Sequence, residues 1–77
     1  MVRIKSVEEG SSAKKAGIKA LDTLVSINGN EICDVLDYRF YLAEKRLSLE
    51  LVNEEGKYHV RIKKGEYDDI GLEFETP

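Results

Sequence analysis

The sequence predicts a small α+β domain, a partly open antiparallel β-barrel or sandwich of five to six strands carrying one short and one longer helix. Three observations predict it. The stretch from Gly10 to Gly29 packs helix caps, a helix stop, an alternating strand and an Asn-Gly turn into one short run. Leu47, Leu49 and Leu51, then Tyr58, Val60 and Ile62, alternate with polar residues on either side of Asn53-Glu54-Glu55-Gly56, the pattern of an antiparallel hairpin with one apolar face. Between these lies an apolar segment after Asp34 that suits a helix.

Val2 and Ile4, with Ser6 in phase, alternate with Arg3 and Lys5 and read as a first strand entering the Glu8-Glu9-Gly10 turn. Ser11 and Ser12 can accept hydrogen bonds from the orphan amides of a helix starting at Ala13, and Gly17 can take the left-handed conformation that stops it one turn later. Thr23, Val25 and Ile27 then alternate with Leu24 and Ser26, and Asn28-Gly29 suits a two-residue hairpin turn. A short extended piece, Glu31-Ile32-Cys33, leads to Asp34, an N-cap with Asp37 near the positive end of the helix dipole. The main helix is expected from Val35 to about Lys45, with Lys45 and Arg46 at its negative end. Gly65 to Asp69 reads as a polar acidic loop, and Ile70, Leu72 and Phe74 alternate with Gly71, Glu73 and Glu75 as a last strand. The chain then reaches Thr76-Pro77 with no capping element, as expected of one domain, residues 1–77, cut from a longer protein.

A chain of 77 residues has room for one small core. Apolar residues at 42% and charged residues at 35% suit an ordered soluble domain. A net charge of −3 argues against nucleic-acid binding, because the nearest basic group, Lys57, Arg61, Lys63 and Lys64, reads as the solvated face of one strand. No segment approaches the roughly 20 apolar residues of a membrane span, and no signal peptide is visible, so no membrane partner is expected. The single cysteine, Cys33, excludes an internal disulfide, reads as a small buried apolar residue, and favours a reducing, cytoplasmic setting.

The order of short helix, strand and Asn-Gly turn resembles the PDZ domain, whose pattern is Gly-Ser-Pro-Ala, then Ala-Gly-Leu, Gly-Asp and Val-Asn-Gly. In that family a Gly-Leu-Gly-Phe loop and strand come near the start, whereas here the match is Ile70-Gly71-Leu72-Glu73-Phe74. The resemblance is therefore to the circularly permuted PDZ domains of bacteria, and permutation is physically reasonable because domain termini lie close together. It implies a peptide or protein partner added as an extra strand along Ile70, Gly71, Leu72, Glu73 and Phe74, facing the main helix at Val35, Arg39 and Leu42. A monomer is expected.

Gly71 has two readings: a loop that turns amides toward a carboxylate, or relief of crowding within a strand. The upstream pattern favours the loop. Val35, Leu36, Tyr38, Phe40, Leu42 and Ala43 spread over more than half the helix, as a helix both packing on a sheet and lining a groove requires. Arg39 falls within that arc, so it either snorkels to water or meets an anion. Ala20-Leu21-Asp22 stands where the family has Pro-Gly-Asp; a leucine at positive φ is costly, so a rearranged turn is expected there. Glu66, Asp68 and Asp69 precede the loop, disfavour a bound carboxylate, and make an internal segment, or part of the chain's own protein, a credible ligand.

No catalytic apparatus is visible, and neither a catalytic residue nor a metal ligand is assigned. His59, the only histidine, stands among alternating charges on an exposed strand face, and no Ser-His-Asp or Cys-His arrangement can be built on it. Glu66, Asp68 and Asp69 match no calcium-loop spacing, and Gly10, Gly17 and Gly29 form no phosphate-binding fingerprint. The run from Ile32 to Glu44, with Gly71-Leu72-Glu73-Phe74-Glu75, is also similar to the N-terminal PDZ-like domain of uncharacterised bacterial radical-SAM iron–sulfur proteins. That resemblance implies no cofactor in this domain, an iron–sulfur cluster and S-adenosylmethionine in the rest of the protein, and a groove filled by its own chain.

Overall fold

The computed structural model describes residues 1–75; the break expected at Thr76-Pro77 lies outside them. The order is β1 (Val2–Val7), α1 (Ser12–Ala16), β2 (Thr23–Ile27), β3 (Asn30–Glu31), α2 (Val35–Tyr41), β4 (Arg46–Asn53), β5 (Gly56–Lys63) and β6 (Leu72–Phe74). The strands form one antiparallel sheet in the order β5-β4-β2-β1-β6, with β3 paired to β2. The predicted α+β class is the observed one, and of the five to six strands expected the described residues form six, with two helices. The first strand therefore pairs with the last, which leaves β6 at one end of the sheet.

One core joins the buried face of the sheet (Val2, Ile4, Leu24, Leu49 and Leu51 among others) to Ala13 of α1 and Tyr38 of α2. Caps hold both helices against it. Ser11 accepts from the Lys14 amide, while Gly17, at φ 97°, lets its own N–H reach the Lys14 carbonyl and that of Ile18 reach Ala13. That pairing is a Schellman motif, with Ala13 and Ile18 both buried beneath it. At α2 the N-cap Asp34 accepts from the Asp37 amide at 3.0 Å, and the Asp37 carboxylate accepts from the amide of Cys33, the residue before the cap, at 2.9 Å.

Several expectations are corrected. α2 ends at Tyr41 rather than Lys45, because the Leu42 carbonyl is taken by the Tyr67 amide and the Lys64 ammonium, and the Lys45 carbonyl by the Lys64 amide. Those bonds turn the chain into β4, which Arg46 begins. Lys64 is consequently half-buried rather than on the solvated face that Lys57, Arg61 and Lys63 share. Cys33 is exposed, its amide recruited to the helix cap. Alternation also breaks twice: register shifts at Lys5 and Val25 change the phase, so Ser6 is exposed with Val7 half-buried, and Leu24 and Ile27 fill the core where Thr23, Val25 and Ile27 were expected to share a face.

Asn28 and Gly29, at φ 52° and 80°, make the expected hairpin turn, and the Asn28 side chain further accepts from the Ser48 amide and donates to the Arg46 carbonyl. Leu21 is the larger surprise. It holds φ 75° as third residue of a turn closed by the Asp22 amide on the Lys19 carbonyl, a position glycine ordinarily fills. The turn cannot rearrange, because Leu21 N–H donates to the Ile4 carbonyl and Ile4 N–H to the Asp22 carbonyl, so strain is held by β1. The Leu21 side chain is 59% exposed and gives little packing in return. Leu21→Gly is therefore expected to stabilise the domain by about 0.5 to 1 kcal/mol, relief of left-handed strain less the entropy glycine loses on folding, seen as a rise of a few degrees in Tm.

Candidate functional site

A groove of about 780 Å³ runs between α2 and β6. Val35, Leu36, Arg39 and Leu42 form one wall, at the one-turn and two-turn spacing that puts residues on one helical face. Leu72, Glu73 and Phe74 form the other, and Tyr38 and Phe74 meet edge to face beneath, with ring centroids 4.8 Å apart. Because, among the described residues, β6 pairs only with β1, its second edge is open toward the groove.

Six sequence-selected residues, Val35, Arg39, Leu42, Leu72, Glu73 and Phe74, thus come together in the groove walls. Ile70 does not: it is fully buried at 0% exposure, ahead of the strand, and its carbonyl accepts from the Ala13 amide. Gly71 lies just past the groove's end, in an adjoining cavity of about 310 Å³. At φ 94° its missing Cβ would fall 2.3 Å from Ser11 Cβ, so close approach to the α1 cap requires glycine here. Its carbonyl accepts from the Glu8 amide, and its amide donates to Asp69 Oδ1 at 3.0 Å.

Sequence reasoning missed five groove residues: Leu36 and Asp69, and three whose place depends on distant partners. Lys5 is the extra residue of the β1 bulge, which turns it to the groove. Tyr67, in a left-handed conformation at φ 63°, is exposed at the groove's side with its amide on the α2 end. Tyr38 is buried, and its hydroxyl donates to Asp69 Oδ1 at 3.3 Å. Burial first, then the Asp69 carboxylate, pushes the Tyr38 hydroxyl pKa well above the usual tyrosine range, so it acts as a neutral donor. Its only advance signal was an aromatic amid helical apolar spacing, which reads as core.

Arg39 is exposed and, among the described residues, forms no ion pair, so the groove has a free cation on its helical wall. The two-stripe reading of α2 is met unevenly. Tyr38 packs inward, Val35 and Leu42 reach the groove, and Leu36 and Phe40 stand 74% and 73% exposed. His59 lies on the exposed face of β5 beside Glu50, at 3.3 Å. Among the described residues no group of three or more His, Cys, Asp or Glu is placed to hold a metal ion, and no helix is long and apolar enough to cross a membrane.

An open edge strand facing a helix across a groove is an arrangement in which an extended segment can add as a further strand. The family model for the PDZ domain matches residues 3–53, more than half of the chain, and the chain belongs to the PDZ domain family. Comparison with curated proteins gives no match.

Proposed function

We propose that this domain binds an extended peptide or protein segment as an added strand on the open edge of β6, between that strand and α2. The observation that carries the reading is the groove itself: unpaired strand edge, apolar floor at Tyr38 and Phe74, and Val35, Arg39 and Leu42 opposite. Main-chain pairing along Leu72–Phe74 supplies affinity, and the spaces beside Val35 and Leu42 supply selectivity. The late position of the strand that lines the groove, outside the matched residues 3–53, supports a circularly permuted arrangement.

Titrating a library of extended peptides into the labelled domain is expected to shift the amides of Leu72–Phe74 and α2 together. Shifts confined to β4 and β5, or no shifts with any peptide, overturn the reading.

A second reading makes the domain a structural accessory of a radical-SAM iron–sulfur enzyme whose own chain fills the groove. The exposed Leu36 and Tyr67, both lining the groove, favour it, because exposed apolar side chains at a groove suit a permanently docked neighbour. Peptide binding by the 77-residue chain that disappears in a longer form of the protein supports this reading; equal binding by both overturns it.

A further inference from the structure

The loop end of the groove is acidic. An entering carboxylate needs free donors and positive charge. Here Gly71 N–H and the Tyr38 hydroxyl are both committed to one oxygen of Asp69. The adjoining cavity, which shares Asp69, Leu72 and Glu73 with the groove, is lined among the described residues by three carboxylates, those of Glu8, Asp69 and Glu73, and by no cation. Arg39 and Lys5 lie in the main groove but not in that cavity.

We propose that this end receives an internal segment, whose backbone runs on past Gly71, with a lysine or arginine side chain entering the acidic cavity, and that it rejects a free C-terminal carboxylate. The inference rests on the β6–α2 groove being the binding site. Asp69 takes up the Gly71 amide and the Tyr38 hydroxyl and leaves a fixed negative charge where a ligand cation gains most.

The test presents the 77-residue chain with an array of random extended peptides, each in free-acid and C-terminally amidated form. The amides are expected to bind about tenfold tighter than the matching acids, equivalent to about 1.4 kcal/mol, with lysine or arginine enriched among the binders. Asp69→Asn removes the charge while keeping an oxygen for Gly71 and Tyr38, and is expected to shrink the preference to about threefold or less. Glu73→Gln, at an exposed position, gives a second charge-removing variant that is expected to weaken the preference even if Asp69→Asn fails to fold. Free acids binding as tightly as amides, or tighter, overturn this inference alone. Binding by neither form overturns the groove reading and this inference with it.

Discussion

Gly71→Ala is expected to destabilise the domain by about 3 kcal/mol, the sum of left-handed strain and a forced contact. For a domain of this size that lowers Tm by about 12 to 24 °C, read directly in a thermal melt. The contact cannot relax cheaply. Ser11, whose Cβ would be met at 2.3 Å, accepts from Lys14 and Lys15 amides and donates its own to Glu8, while Gly71 is held by the Glu8 amide and Ile70 by that of Ala13. Ser11→Gly in the Gly71→Ala background removes the opposing Cβ and is expected to recover the contact cost but not the φ cost. No recovery would show that strain alone governs the site. Because Gly71 leads directly into β6, peptide binding is expected to weaken with the fold, and to return with it in the double variant.

Tyr58→Phe carries the second large effect. Asp22 is 7% exposed, and the Tyr58 hydroxyl donates to its carboxylate. Removing that hydroxyl leaves a buried charge short of a donor, at a cost of about 2 kcal/mol and a fall in Tm of about 8 to 16 °C. Asp22→Asn, which keeps an acceptor for Tyr58, is expected to lose less. The same pair predicts an alkaline limit. Burial, then the hydrogen bond to Asp22, raises the Tyr58 hydroxyl pKa above its ordinary value near 10, and Tyr38 is raised likewise by burial and Asp69. A raised pKa in the folded state means stability is fully present below about pH 10 and is lost as pH climbs through the folded value. Denaturant midpoints are therefore expected to fall from about pH 10 upward, and to fall less steeply in Tyr58→Phe and Tyr38→Phe. Equal slopes in all three proteins would remove both tyrosines as the cause.

Much of the scaffold was legible in order. Ser11, Gly17 and Asp34 act locally, through bonds to backbone groups within a few residues, and Asn28-Gly29 through the left-handed backbone of its own turn, so their roles follow from neighbours in the chain. The β4–β5 hairpin followed from strict alternation, and its register runs unbroken from Arg46↔Lys63 to Asn53↔Gly56. The groove walls at Val35, Arg39, Leu42, Leu72, Glu73 and Phe74 were nameable from helical and strand spacing combined with a family resemblance. Bulges were not legible, because the one-residue phase changes at Lys5 and Val25 are imposed by partner strands far away in sequence.

The punctuation of this protein is written in its sequence: where helices begin, where hairpins turn, and which strands carry an apolar face. What depends on distant partners emerges with the folded arrangement. Pairing of β1 holds Leu21 in a left-handed turn that its side chain disfavours, and Lys64 with Tyr67 cuts α2 short of Lys45. Packing of the α1 cap against the approach to β6 makes Gly71 indispensable, and Tyr38 brings the Asp69 carboxylate to the end of the groove. The division has one physical reason. Local propensities act over a turn or two of chain, whereas charge, strain and groove shape are set by residues that meet only after the first strand has paired with the last.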